Sequence, residues 1–396
     1  MKTIKDFDIN GKRVLVRVDF NVPINSDLQI TDDTRIQAAL PTINYILNNG
    51  GSVVLMSHLG RPKLGPESRF SLSLLVNHLT LCLGLDVKFA NDCLGNVSLE
   101  MSRSLQAGEV LLLENVRFYA GEKEGSESFA GQLAKHGDFY VNDAFGTAHR
   151  AHASTSVIAR FYEGRKSFGF LMARELNNLQ KVIQEPKKPF TAVIGGAKVS
   201  SKISIIEKLL PKITSLIIGG GMSYTFIKAM GGSVGNSLVE NDYLETALSV
   251  LKKAEEAGVR VFLPEDSVIA DSFDNNANRK SALSDEIPEG WMALDVGPEA
   301  TGHYITCLKE SRTILWNGPM GVFEMSNFET GTHEVANAIV ESTERGAFSL
   351  VGGGDSVAAV NKYHLKDHVS YLSTGGGAML EYIEGKTLPG VSAILN

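Results

Sequence analysis

The sequence is poor in the features that mark secreted, membrane-spanning and redox proteins. Its 396 residues include three cysteines, Cys82, Cys93 and Cys307, which lie far apart and form no CxxC pair. A scattered, odd-numbered set is typical of free thiols in a reducing compartment, not of a disulfide framework or a metal site. No apolar run approaches the roughly 18 residues of a membrane helix, and the start, MKTIKDFDING, lacks the apolar stretch of a secretory signal. We therefore expect a cytoplasmic protein without a membrane partner.

Two common nucleotide-binding motifs are also absent. No Gly-x-x-x-x-Gly-Lys-Ser/Thr occurs, which excludes a P-loop protein. A nicotinamide-dependent dehydrogenase, one alternative for a chain of this kind, predicts Gly-x-Gly-x-x-Gly after an early strand and an acidic residue about 20 positions later. Neither feature is found.

Charge is distributed unevenly along the chain. The net charge of −7 argues against a nucleic-acid partner. Residues 1–170 hold 18 Lys+Arg and 18 Asp+Glu, whereas the remainder holds 20 and 27, and ten of the fifteen arginines lie in the first part. Because the guanidinium fork suits carboxylate and phosphate groups, the first part is the better candidate for binding a small polyanion.

Short, continuously apolar runs alternate with helical patterns through the whole chain. Such runs are typical of strands covered on both faces, and their alternation with helices such as 200–210 and 243–257 predicts βαβ units with parallel sheets. The predicted strands are 14–18, 52–56, 110–113 and 139–141 in the first half, and 191–194, 216–218, 259–263, 313–316, 348–351 and 370–372 in the second. The fold class is therefore α/β, with two doubly wound, Rossmann-like parallel-sheet domains facing a cleft.

The length of 396 residues predicts two domains. The prolines of EPKKP, Pro186 and Pro189, end a helical stretch and predict the join there. We expect a first domain over residues 1–170, an interdomain hinge helix over 171–185 and a second domain over 186–379. The final segment, 380–396, is too short for a domain and is expected to return to the first one.

Cationic and hydrogen-bonding residues follow the predicted strands of the first half. Ligands of open parallel sheets bind beyond the carboxyl ends of the strands, so these residues should meet at one edge. Like charges gathered there require an anion or nearby carboxylates, and the adjacent carboxylates, Asp19, Glu114 and Asp143, are few. His149 and His152 have metal-pair spacing, but no third ligand is spaced to join them. The cationic residues expected at the edge are Arg35, His58, Arg61, Arg117 and Arg150.

Glycine-rich turns follow the strands of the second half. Each turn alone has a steric explanation, but five of them beside Lys198 and Lys202 favour a nucleotide site, because glycine lets backbone N–H groups approach phosphates. Asp355 is the best candidate for holding Mg²⁺ near the phosphates, directly or through water, and Glu324 for accepting hydrogen bonds from ribose. The five turns are 195–196, 219–221, 318–321, 352–354 and 375–377.

Several long motifs, in order along almost the whole chain, closely resemble the phosphoglycerate kinase family. They are RVDFNVP (17–23), SHLGRP (57–62), LENVRF (113–118), NDAFGTAHRAH (142–152), GGAKVSSK (195–202), WNGPMGVFE (316–324), GGGDS (352–356) and STGGGA (373–378). Ser356 and Met320 stand where the family usually has Thr and Val, which keeps the hydroxyl in the first case and changes packing in the second. The resemblance implies phosphoryl transfer between ATP or ADP and 3-phosphoglycerate or 1,3-bisphosphoglycerate, in a monomeric, hinge-bending, Mg²⁺-dependent enzyme.

The resemblance also implies the ligand-binding residues. For the phosphoglycerate they are Asp19, Phe20, Asn21, Arg35, His58, Leu59, Gly60, Arg61, Arg117 and Arg150. For the magnesium nucleotide they are Gly196, Ala197, Lys198, Lys202, Gly297, Asn317, Glu324, Gly353, Gly354, Asp355 and Ser356. Arg35 and Lys202, supported by Lys198, are expected to be catalytic. The attacking carboxylate is already ionised at neutral pH, so no general base is expected.

A second alternative is a non-catalytic sugar-phosphate binding protein whose lobes close on one ligand. It gives no reason for a second, glycine-rich phosphate site with paired lysines, and such proteins usually carry an export signal. An assay with ATP and 3-phosphoglycerate distinguishes all three possibilities.

Overall fold

The computed structural model describes residues 1–63 and 65–396, and these residues divide into two units. Unit 1 comprises Met1–Asn177 and Thr387–Asn396, and unit 2 comprises Asn178–Lys386. The division falls inside a helix, Phe170–Ile183, whose second half belongs to unit 2. The chain returns to unit 1 at Thr387, later than the expected residue 380, because residues 380–383 belong to a helix of unit 2.

Unit 1 contains a six-stranded parallel sheet in the order β3-β4-β2-β1-β5-β6. Its strands are β1 Arg13–Val18, β2 Ser52–Met56, β3 Val87–Ala90, β4 Val110–Leu113, β5 Phe139–Asp143 and β6 Lys166–Phe168. Its helices are α1 Thr34–Asn48, α2 Val76–Leu83, α3 Asn96–Arg103, α4 Ala120–Glu124, α5 Glu127–Leu133 and the beginning of α6 Phe170–Ile183.

Unit 2 contains a second parallel sheet of six strands, in the order β10-β8-β7-β15-β16-β17. Its elements in chain order are β7 Phe190–Ile194, α7 Ile203–Leu209, β8 Ser215–Ile218, α8 Ser223–Ala229, β9 Ser233–Val234, α9 Leu244–Glu256, β10 Arg260–Phe262, β11 Asp266–Ala270, β12 Arg279–Leu283, β13 Glu286–Ile287, β14 Met292–Val296, α10 Pro298–Lys309, β15 Thr313–Asn317, α11 Thr330–Glu344, β16 Phe348–Val351, α12 Gly354–Lys362, β17 Tyr371–Leu372 and α13 Gly377–Ile383. Helix α14, Pro389–Leu395, belongs to unit 1.

Both central sheets are buried on two faces, which explains the continuously apolar strands. In β1, Val14 and Val16 pack with α1 on one face, and Leu15 joins the core on the other. Trp316 of β15 is fully buried in the core of unit 2. In each sheet the chain moves outward from a central strand, β1 or β7, in both directions. The crevice beyond this switch point is where doubly wound sheets bind ligands.

Two small sheets of unit 2 lie outside the parallel sheet. Strand β11 pairs antiparallel with β12 and β14, and β9 pairs with β13. Strand β12 is largely exposed. Among the described residues, no helix combines the length and apolar character that crossing a bilayer requires.

Candidate active site

Asp19 organises the first charges beyond β1. Its carboxylate is buried and accepts a hydrogen bond from Nη1 of Arg35 at 2.9 Å and another from the backbone N–H of Asn21 at 3.3 Å. Arg35 is the second residue of α1, and 37% of its side chain is exposed. One part of the guanidinium is therefore fixed by Asp19, and the side chain stays partly open to solvent.

His58 is a neutral hydrogen-bonding group. Desolvation, followed by the charges of Arg17, Arg117 and other nearby cations, holds its pKa well below the ordinary value. Nη2 of Arg17 lies 3.2 Å from its Nδ1. Since arginine only donates, Nδ1 accepts, and the proton of the neutral ring is on Nε2. His58 thus offers an Nε2–H donor.

A fully buried arginine lies behind His58. Besides His58, the Arg17 guanidinium donates to Ser154 Oγ at 2.8 Å and to the carbonyl of Val18. Ser154 in turn donates from its hydroxyl and its backbone N–H to the buried carboxylate of Glu122, at 2.7 and 2.9 Å. This network holds a positive charge beneath the site. Arg17 is not among the predicted site residues, although a charged residue inside an apolar strand is a usable signal.

Arg117 has unfilled hydrogen-bonding capacity. Its Nη1 donates to the carbonyl of Gly60 at 2.8 Å, whereas its buried Nε has no partner in the described part of the chain. Burial, followed by the charges of Arg17 and Arg150, lowers its pKa to about 10. Arg150 therefore lies within electrostatic range. Both Arg150 and Arg61, which follows Gly60, have exposed side chains.

Two of the three carboxylates adjacent to these cations are used elsewhere. Glu114 accepts from the backbone N–H groups of Leu72 and Asn115 at 2.8 and 2.7 Å. Asp143 accepts from the N–H of Met172 at 3.0 Å near the start of α6, and burial raises its pKa to about 6. Asp19 thus remains as the carboxylate paired with a cation of the predicted set, which strengthens the case for a bound anion.

The uncharged residues predicted to bind phosphoglycerate lie in the loops that follow β1 and β2. Gly60 donates its N–H to Asn21 Oδ1 at 2.8 Å, and its φ of +62° places an added Cβ 2.3 Å from the ring of Phe70. A pocket of about 390 Å³ lies here, lined in part by Asn21, Leu59, Gly60 and Phe70. The Phe20 side chain lies wholly in the core, so only its backbone is available to a ligand.

Unit 2 contains a larger pocket, of about 500 Å³. Four predicted nucleotide residues line it, namely Gly196, Ala197, Glu324 and Asp355. Its remaining wall is mostly apolar and includes Leu238, Phe273, Ala293, Leu294 and Val322. This wall suits a flat, apolar group such as a nucleobase. Part of this apolar wall comes from β14 and from loops near the small antiparallel sheet. None of the sequence motifs described above lies in these segments.

A hydrogen-bonded cluster connects the glycine-rich turns of unit 2. Lys202 donates from Nζ to Asn317 Oδ1, and the Asn317 amide donates to the carbonyl of Gly352 at 2.6 Å. Ser356 Oγ, in the first turn of α12, accepts from the N–H of Gly318 at 2.6 Å. Burial lowers the pKa of Lys202, and the charge of Asp355 opposes that shift. The lysine, the turns and the start of α12 therefore form one group beside the pocket.

Two further predicted nucleotide residues, Gly297 and Lys198, belong neither to the pocket lining nor to this hydrogen-bonded cluster. Gly297 does not line the pocket, because it is the N-cap of α10 and packs against the Asp266 carboxylate, 2.2 Å from where a Cβ would lie. Ala293, four residues earlier, lines the pocket. Lys198 is exposed in the turn before α7.

The residues of this pocket fit a magnesium ion held mainly by nucleotide phosphates. Asp355 is exposed at the start of α12 and lines the pocket. One or two carboxylates together with substrate phosphates and water are the usual ligands of Mg²⁺ in kinases. The donor set therefore suits an ion that arrives with its nucleotide.

Comparison with known proteins identifies the family. The model of the phosphoglycerate kinase family matches residues 4–386. The chain belongs to the phosphoglycerate kinase family. It is 51% identical to the phosphoglycerate kinase of Porphyromonas gingivalis over 99% of each chain, and 51% identical to the cytosolic phosphoglycerate kinase of Nicotiana tabacum over 99% of this chain and 97% of that one.

Solved structures agree with this assignment. The phosphoglycerate kinase of Coxiella burnetii matches with a TM-score of 0.90 at 40% identity, covering 100% of this chain and 98% of that chain. That of Pyrococcus horikoshii matches with a TM-score of 0.85 at 32% identity and the same coverage. The expected fold of two parallel-sheet α/β domains is confirmed. The chain is a kinase that transfers a phosphoryl group between ATP or ADP and 3-phosphoglycerate in glycolysis, with a carboxyl group as acceptor.

Proposed function

We propose that unit 1 binds the phosphoglycerate, that unit 2 binds the magnesium nucleotide, and that the substrate carboxylate attacks the transferring phosphorus directly and in line. The observation that carries the first part is the cluster of cations at one edge of the sheet of unit 1, where Arg117 Nε is buried without a described partner. A bound phosphate or carboxylate satisfies that donor. His58 Nε2–H and the free part of the Arg35 guanidinium complete the recognition, together with Arg61 and Arg150.

The nucleotide occupies the pocket of unit 2. Its base lies against the apolar wall, which includes Ala293, and its ribose lies near Glu324. The phosphates meet Lys202 and the start of α12, where backbone N–H groups and the helix dipole favour anions. Asp355 would hold Mg²⁺, which offsets phosphate charge when bound.

Catalysis needs alignment and charge neutralisation, and no general base. A carboxylate with a pKa near 4 is already the nucleophile at neutral pH. Arg35 from unit 1 and Lys202 from unit 2 stabilise the charge on the transferring phosphoryl group, and the exposed Lys198 supports them.

The reaction further requires the two bound substrates to meet. In-line transfer needs reacting atoms about 3–3.5 Å apart, and exclusion of water prevents hydrolysis of the phosphoryl donor. We infer that the units close on their ligands by bending at 171–184 and at the loop 373–377. We also infer a monomeric, cytoplasmic enzyme, since each ligand site is built within one unit of one chain and relatives such as that of Nicotiana tabacum are named cytosolic.

Calorimetric titration of single variants tests which unit binds which ligand. Arg117→Ala should weaken 3-phosphoglycerate binding by about 10–100-fold, the value of a hydrogen bond to a charged group, and leave ADP binding unchanged. Lys202→Ala should do the reverse. The matched controls are Arg160→Ala and Lys208→Ala, which remove exposed cations of the same units. If a folded variant loses both ligands equally, the assignment of one ligand to each unit is wrong.

A further inference from the structure

Three potential metal ligands of unit 1 lie together outside the residues assigned above. They are Asp33, just before α1, and His78 and Cys82 on α2. One ligand atom from each lies within 4.8 Å of the others, and in the described part of the chain no other group of three His, Cys, Asp or Glu residues does so. His78 and Cys82 are four positions apart on one helix, so both side chains project from the same face.

The Asp33 carboxylate is directed at α2 instead of capping its own helix. Asp33 is the N-cap residue of α1 but makes no side-chain cap hydrogen bond, whereas Asp32 Oδ1 accepts from the N–H of Thr34 at 2.7 Å. Asp33 Oδ2 lies 3.0 Å from His78 Nε2. A carboxylate at this position is thus already paired with an imidazole from another element.

Gln37 connects the carboxylate with the thiol. Its Nε2 donates to Asp33 Oδ2 at 2.8 Å and lies 3.4 Å from Cys82 Sγ. An amide donor therefore occupies the space among the ligand atoms. A cation placed there would replace this partial positive charge with a full one.

We propose that Asp33, His78 and Cys82 bind Zn²⁺. Tetrahedral zinc with one sulfur, one nitrogen and one oxygen ligand at about 2.0–2.3 Å places those atoms roughly 3.3–3.8 Å apart, so small rotamer changes from the present spacing are enough. A mixed thiolate, imidazole and carboxylate set selects zinc over Mg²⁺ or Ca²⁺, which prefer oxygen ligands.

Access and proton balance are compatible with this binding. The side chains of His78 and Asp33 are 33% and 35% exposed, so an ion can enter and water can supply the fourth ligand. On binding, the Cys82 thiol releases its proton to solvent, and His78 coordinates as the neutral ring through Nε2 with its proton on Nδ1. The ion would connect the start of α1 to α2, two residues from Arg35.

Cobalt spectroscopy of the whole, nucleotide-free protein tests the site. Co²⁺ should bind with a tetrahedral visible spectrum and a near-ultraviolet thiolate charge-transfer band, and Zn²⁺ should displace it. Cys82→Ser should abolish the charge-transfer band. Cys82→Ser and His78→Gln should each weaken binding at least about 100-fold, because loss of a mere outer-shell partner already costs about 10–100-fold.

The matched control is His368→Gln, which removes an exposed histidine 3.9 Å from Glu344 and should leave metal binding unchanged. Circular dichroism shows whether each variant is folded. Zinc should raise the unfolding temperature of the native protein and not that of Cys82→Ser. Absence of the charge-transfer band in the native protein, or its persistence in folded Cys82→Ser, overturns the proposal.

Discussion

Burial decides which charges of the site are available to a ligand. Asp19 is committed to Arg35, and Glu114 is committed to backbone N–H groups. The neighbouring cations differ in burial, since Arg17 is fully buried and Arg150 is exposed. The positive charge that remains without a carboxylate is the basis for the anion site proposed at this edge of the sheet.

Asp295, a buried carboxylate that lines the pocket of unit 2, should make the free energy of unfolding depend on pH. Burial raises its pKa to about 7, although it accepts N–H groups from Val296 and Gly331, each at 2.9 Å. Between the unfolded value near 4 and this value, the native state keeps a proton that the unfolded state has lost. Raising the pH through that range therefore lowers the free energy of unfolding, by up to about 1.4 kcal/mol per pH unit.

Asparagine at this position cannot titrate, so Asp295→Asn isolates the effect. Urea unfolding at pH 5, 6.5 and 8 should show the native protein losing stability relative to Asp295→Asn as the pH rises. A stability difference that is constant across the three pH values would show that the carboxylate titrates normally.

At the scale of elements, the sheets could be predicted because their strands are buried on both faces. All ten strands expected from apolar runs occur, within about two residues at each end. Strands β3 and β6 were not predicted, because both lie at sheet edges and are short, and Lys88 of β3 is exposed. The antiparallel strand β12, which is largely exposed, carried no apolar pattern at all.

The positions of site residues could be predicted to the correct sheet edge, but not their side-chain directions. Because Asp19, His58 and Arg117 each follow a predicted strand, they were expected close together, and in the structure they are. The strand pattern does not reveal that the Phe20 side chain turns into the core or that Gly297 packs on Asp266. Such details depend on contacts between residues that are distant in the sequence.

The turn before α12 should be sensitive to substitution. Gly353 has φ +101°, and an added Cβ would lie 2.3 Å from Asn317 Nδ2, the amide that connects Lys202 to this turn. Gly346 is a matched control, because its φ is +93° and an added Cβ meets nothing within 4 Å.

Both alanine variants should lose about 1–3 kcal/mol of stability to the backbone strain of a positive φ. Gly353→Ala should additionally displace Asn317, so its loss of stability should exceed that of Gly346→Ala by about 1 kcal/mol or more, and ADP affinity should fall at least about tenfold. Chemical unfolding and calorimetry measure both quantities. If both variants lose the same stability and both keep full ADP affinity, this turn is not part of the nucleotide site.

For the whole molecule, the chain passes between the units twice, within α6 and again after Lys386. The returning segment is fixed to unit 1 near Arg150, since Gly390 donates to the carbonyl of Ala148 at 2.8 Å and accepts from the Asn142 amide at 3.2 Å.

Small-angle scattering should detect the proposed closure. The combination of 3-phosphoglycerate and MgADP cannot react, because ADP lacks the phosphoryl group to be transferred. The radius of gyration should be smaller with both ligands than with either alone. A radius that is the same in all three states would contradict closure.

The turnover number of Arg35→Ala tests most directly whether an arginine of one unit and a lysine of the other act on the same phosphoryl group. We predict that kcat falls by about 10³–10⁵, the range for arginines that stabilise phosphoryl transfer, while the Kd for MgATP changes less than about twofold. Arg160→Ala should behave like the native enzyme. A kcat for Arg35→Ala within a factor of two of the native value would contradict the mechanism.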